Sequence, residues 1–241
     1  MLKRISLSIC SALLLFSSSQ VSAHNAWVAQ QQDKWVVIYG HGASNYAYKP
    51  EQVTQIKGIG GDKTVDLTRK NYEDFVSFDP AKLGMVAITL HGGYWAVLKN
   101  GEWVQKAKAD SHVDGDVKFT TESVKYAVSV MDNSIMPKAV GYPLEIVPEK
   151  NPASLHQGDN VTVTVLLDGK PLAGAKVIND YIGADDNARK ETDANGKVNL
   201  SIRNAGLNVF EVSYRIDHPT KKADKLSLGA TYSFRTHTHH H

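Results

Sequence analysis

The chain has 241 residues, and its 27 Lys+Arg against 25 Asp+Glu give a formal charge of +2 with histidines neutral. No basic stripe and no interleaving of basic with aromatic residues runs through it, which excludes nucleic acid as an expected partner. Its single cysteine, Cys10, lies near the start, so the rest of the chain has neither a disulfide nor a thiolate metal ligand.

Residues 1–23 have the three parts of an export signal. Lys3 and Arg4 open it, Ile5 to Phe16 is apolar with Leu13-Leu14-Leu15-Phe16 as its densest part, and Val21-Ser22-Ala23 is an A-x-A-like cleavage site. The apolar run is too short to span a bilayer. Cleavage after Ala23 leaves 218 of the 241 residues, removes Lys3 and Arg4, and brings Lys+Arg from 27 to 25, level with the 25 acidic residues. The expectation is a soluble periplasmic protein, long enough for two small domains, whose first residue is His24.

The first mature segment reads as strands. Trp35-Val36-Val37-Ile38-Tyr39 is β-branched and aromatic and ends at Gly40-His41-Gly42. Val53 to Ile59 alternates, Gly60-Gly61-Asp62 turns the chain, and Thr64 to Leu67 pairs back. Phe75 to Phe78 is a further short strand. In Met85 to Leu90 the two-residue period places Val86, Ile88 and Leu90 on one face, with Ala87, Thr89 and His91 on the other. Gly92-Gly93 is expected to open a turn before Tyr94-Trp95. Asn100-Gly101 is a hairpin dipeptide leading into Trp103. Residues 106–118 read as a polar loop. Glu122 to Met131 suits either period, and its β-branched content favours a strand.

Asn133, Pro137, Gly141 and Pro143 mark a boundary, which separates an N-terminal domain, 24–135, from a C-terminal one, 142–235. The second half contains Leu144 to Pro148, then Asn160 to Leu167 with Val161, Val163 and Val165 on one face, a turn at Asp168-Gly169, and strands near Val177, Leu200, Val209 and Leu228 to Phe234. Short strands at such spacing, with Gly/Asn/Asp turns, predict an all-β protein of two β-sandwich-like domains, the second immunoglobulin-like or transthyretin-like. The tail 236–241 is low-complexity and histidine-rich.

Several of these runs resemble one family. Gly141-Tyr142-Pro143-Leu144-Glu145-Ile146-Val147-Pro148, Asn151-Pro152, Leu155, Gly158-Asp159 and Val165 to Val177 are similar to DUF4198, as are His24-Asn25-Ala26-Trp27 and Gly92-Gly93-Tyr94-Trp95. That family includes periplasmic accessory subunits of nickel and cobalt uptake systems of the NikK type. The resemblance implies a metal-binding transport protein with Ni2+ or Co2+ as cargo and membrane transporter components as partners.

The residues carry a metal argument of their own. A histidine at a free amino terminus offers two nitrogens, the imidazole and an α-amine of pKa roughly 7.7–8.0. His41 and His91 each end an apolar strand beside glycine, and they are the expected partners of His24. All-nitrogen ligands suit Ni2+, Co2+, Cu2+ or Zn2+, and the Irving–Williams order favours copper, so nickel rests on the resemblance alone. His112 reads as a loop residue, His156 and His218 as structural or exposed. No H-E-x-x-H, G-x-S-x-G or thiol nucleophile is present, so no enzyme and no catalytic residue is expected. Two alternatives stay open: a copper-binding protein or copper-dependent oxidase built on a histidine brace, and a structural or adhesive β-sandwich module without metal.

Overall fold

The structure, a computed structural model, describes residues 24–110, 116–183 and 189–236. The expected export signal at 1–23, His112, and the tail histidines His237, His239, His240 and His241 lie outside the described residues. In chain order the strands are β1 Asn25–Gln31, β2 Lys34–His41, β3 Ser44–Asn45, β4 Val53–Gly60, β5 Lys63–Asp66, β6 Arg69–Asn71, β7 Val76–Phe78, β8 Met85–Leu98 and β9 Trp103–Val104. They continue as β10 Val117–Val130, β11 Leu144–Pro148, β12 Asn160–Leu167, β13 Lys170–Pro171, β14 Lys176–Ile178, β15 Arg189–Glu191, β16 Lys197–Ser201, β17 Leu207–Asp217 and β18 Lys225–Arg235. Three single turns of 3-10 helix are the only helical segments among the described residues, and none is long and apolar enough to cross a membrane.

A nine-stranded sheet forms the centre, in the order β15-β14-β17-β18-β10-β8-β4-β5 with β9 paired to β8. One face carries the sheet β11-β12-β13, with β16 on β12; the other carries β1-β2-β7-β6, with β3 on β2. Strand alternation explains how one sheet serves two cores. In β8, Met85 and Ala87 enter the core shared with Val161, Val163 and Val165 of β12, whereas Val86, Ile88 and Leu90 enter the core shared with Ala26, Val28 and Val37. Such a strand is apolar on both sides, which is why Met85 to Leu90 reads as a near-continuous hydrophobic run.

The protein is therefore all-β with two stacked-sheet sandwiches, the second an immunoglobulin-like stack of β11, β12 and β16 on β14, β17 and β18. The connector at residues 131–143 is present. The Asn151 side chain ties it down through the carbonyls of Asp132 (3.1 Å) and Ile135 (2.8 Å). The sheets nevertheless cross it. β10 from the first half and β18 from the second pair in parallel from Thr121↔Lys225 to Ser129↔Ser233. A parallel pair needs a long crossover, and the C-terminal half supplies it. Ranges 24–135 and 142–235 thus name two sandwiches joined through one continuous sheet.

The ambiguous segment Glu122 to Met131 lies in β10 through Val130, with its alternate residues divided between the two cores. The expected turn at Gly92-Gly93 is corrected: β8 runs straight through it. The two glycines form a bulge, where the register with β10 shifts between Ser123 and Val124. Gly93 has φ +87°, and a Cβ on Gly92 would stand 2.8 Å from Ser123 Oγ. A bulge of this kind re-aims side chains without ending the strand.

Candidate metal centre

β1 and β2 form a hairpin across the turn at Gln32-Asp33, which pairs Gln31 with Lys34 and, at its far end, Asn25 with Gly40. Continuing that register by one residue sets His24 opposite His41. Directly opposed residues have Cβ atoms roughly 4.5–5.5 Å apart, within reach of one metal ion. Two histidines separated by a β-hairpin in sequence thus become cross-strand neighbours.

The surroundings of His24 are aromatic and positively charged. Its ring lies 4.3 Å from that of Tyr46 and 5.5 Å, edge-on, from that of Tyr39. Partial burial, then the His41 ring, then the Lys125 ammonium lower its pKa below the usual 6.5. All three disfavour the imidazolium, so the ring is neutral at neutral pH, the form a metal requires.

His41 is held from the second half of the chain. The Tyr181 hydroxyl donates to the Gly40 carbonyl at 3.0 Å, and its oxygen lies 3.3 Å from His41 Nδ1. A phenol has one proton. A Tyr181 that gives its one proton to Gly40 accepts from Nδ1–H, the tautomer of His41 whose lone pair is on Nε2. This is the usual way a neighbour selects the metal-binding nitrogen of a histidine.

His91 stands elsewhere. It projects on the face of the central sheet that carries Glu122 and Val124, opposite Lys125, which borders His24. Its Nε2 is 2.8 Å from Glu122 Oε1, and its Nδ1 accepts from Gly93 N–H at 3.3 Å. Both ring nitrogens are therefore engaged. Among the described residues no group of three or more His, Cys, Asp and Glu side chains is placed to hold an ion. The structure brings together His24 and His41. Imidazole nitrogens without a thiolate suit Ni2+, Co2+, Cu2+ and Zn2+ alike.

Sequence reasoning did not find Tyr39, Tyr46, Tyr181 or Lys125. Lys125 did leave a signal: it shares the β10 face with Ser123, Ala127 and Ser129, a run of small residues interrupted by one long cation, and it is 2% exposed. A cavity of about 790 Å3 lies beyond the other end of β1, lined by Val28, Gln30, Trp35, Leu83, Ser129 and Met131 among others. Another of about 590 Å3 borders His91, Gln52, Glu73 and Asp74. Neither reaches His24.

A family model described as a domain of unknown function, DUF4198, matches residues 21–216. No curated protein matches the chain. Among solved structures, the D0-D1 domain of intimin is similar at 14% identity, covering 88% of this chain and 97% of that one, with a TM-score of 0.23.

Proposed function

The chain belongs to the DUF4198 family, and from that premise we propose that it is a periplasmic carrier which captures a divalent transition metal at its mature amino terminus. The cargo is Ni2+ or Co2+, and it passes to a membrane uptake transporter. The observation behind this reading is the β1/β2 register, which sets His24 opposite His41. The α-amine and imidazole of His24 close a chelate ring, and His41 adds a third nitrogen. Binding requires the three to be deprotonated, so affinity falls as pH drops through the amine's range and then the imidazoles'. Hand-over is ligand exchange: His24 is partly exposed, so an incoming donor has access to the ion from the solvent side. No covalent chemistry is involved.

A second reading draws on the same pair. A terminal histidine with one further histidine is the donor set of a histidine brace, and copper outcompetes nickel at equal ligands. The protein is then a copper carrier, or an oxidase if it turns over with a reductant.

The experiment is calorimetric titration of processed protein lacking the histidine tail with Ni2+, Co2+, Cu2+ and Zn2+, beside a version carrying one extra residue before His24. Tight one-to-one binding that collapses in the extended version supports the carrier. Equal binding in both removes the amine from the site. Binding in neither leaves a sandwich module without metal.

A further inference from the structure

We propose that Asn25, clamped between Gly229 and Glu211, is the positioning residue that sets the nitrogen donors of His24 against His41. The inference rests on the carrier reading. It explains how a chain terminus is made rigid enough to be a ligand.

The problem begins with β1. It pairs with β2 on one side only. Among the described residues its other backbone edge is paired with no strand, and it packs against β10 and β18. An edge of that kind leaves backbone N–H and C=O groups to be satisfied by other means, and the first residues of a chain are ordered only where something ties them down.

Side chains supply both. Asn25 is 0% exposed. Its Oδ1 accepts from the Ala26 N–H at 3.1 Å, and its Nδ2 donates to Glu211 Oε1 at 3.0 Å. Ser213 donates to the same carboxylate oxygen. The next residue is held as well, since Thr231 Oγ1 donates to the Ala26 carbonyl at 2.5 Å. The side chain of Asn25 lies on Gly229, where an added Cβ would stand 2.6 Å from both Nδ2 and Oδ1. A glycine inside a long strand marks a close approach of this type.

The clamp sits one residue from the proposed ligand. His24 and Asn25 share a peptide, so their Cα atoms are about 3.8 Å apart. With Asn25 fixed, the His24 donors move only about the soft dihedrals of His24 itself. With Asn25 released, they swing with the fraying end of β1, and the geometry against His41 is lost. Glu211 in turn has Lys125 as a countercharge, so the clamp is built into the central sheet.

The test uses processed, tail-less protein with Ni2+ as the probe and two readouts. Asn25→Ala and Gly229→Ala are expected to weaken Ni2+ binding at least tenfold while the β-sheet circular dichroism is retained. Without any metal, the His24 imidazole resonances are expected to broaden or average in both variants. Glu211→Gln, which keeps an acceptor for Asn25 Nδ2, is expected to restore most of the affinity lost in Glu211→Ala. Unchanged Ni2+ affinity in Asn25→Ala overturns the proposal. So does a Glu211→Gln variant as weak as Glu211→Ala, since the carboxylate then acts by charge and not by holding Asn25. If wild-type protein takes up no Ni2+, the carrier reading fails by itself, and the metal-free resonances decide the clamp: sharp, unshifted His24 signals in Asn25→Ala overturn it. Should Gly229→Ala not fold, Asn25→Ala carries the same outcomes.

Discussion

Tyr181→Phe separates what holds the fold from what orients the ligand. The ring remains, and with it the edge-on contact to Trp27 at 5.8 Å. Only the hydroxyl is removed, and with it the bond to the Gly40 carbonyl and the contact to His41 Nδ1. A neutral buried hydrogen bond contributes about 1 kcal/mol net, so the urea midpoint should fall by an amount of that order. Outer partners of metal-binding histidines are typically worth about 10–100-fold in affinity, equivalent to roughly 1.4–2.8 kcal/mol. The metal affinity should therefore fall by more than the fold stability does. Calorimetry with Ni2+ and urea denaturation on the same preparation read the two quantities, and nitrogen chemical shifts of His41 report its tautomer directly. A variant that loses stability but keeps both its affinity and the Nδ1–H tautomer would refute the reasoning and make Tyr181 a packing residue only.

His41→Ala should abolish the one-to-one binding step, whereas His91→Ala should leave it in place, because both His91 nitrogens are already committed to Glu122 and Gly93; equal losses in the two titrations would return His91 to the site. Burial pulls the Lys125 ammonium down to about 8 from 10.5, with the Glu211 charge opposing and Arg215 adding to the shift. The unfolded chain then holds more protons between those values, so stability should rise with pH across that window by roughly 3 kcal/mol at most, with the cost of burying the ammonium present in full below it. Urea midpoints of wild type and Lys125→Met against pH would show this, and parallel curves would count against it. Phe210→Ala, at a 0% exposed position packed edge-on against Phe234 at 5.1 Å, should cost about 3–5 kcal/mol in a urea melt; a loss below about 1 kcal/mol would mean that the shared core collapses around the gap.

Much of the architecture is legible before folding. Val161, Val163 and Val165 alternate in sequence and lie in one core, all within 1% of full burial. Asp168-Gly169 and Asn100-Gly101 sit at turns because their backbones adopt positive φ, at Asp168, Gly169 and Gly101. The glycine pair at 92–93 carries the same local signal and gives a different outcome. A glycine at positive φ serves a tight turn or a bulge equally well, and only the partner strand β10 decides between them. The division into halves is similarly partial: Pro137, Gly141 and Pro143 mark the connector, but nothing local to β10 or β18 announces that they pair across it.

The candidate site divides along the same line. His24 is readable as a prospective amino-terminal chelator, because the pattern expected of an export signal and cleavage motif is local. That His41 and not His91 stands beside it depends on register. A β-strand alternates its faces every residue, so a pairing shifted by one would turn His41 away, and His91 is carried to the far face by the same rule. The composition, the strand periods and most of the turns were determined by the sequence alone, since each is a property of a few adjacent residues. The shared central sheet, the pairing of His24 with His41, and the supports at Asn25, Glu211 and Tyr181 were decided only by the tertiary structure, because each joins residues 140 or more positions apart or depends on which strand edges meet.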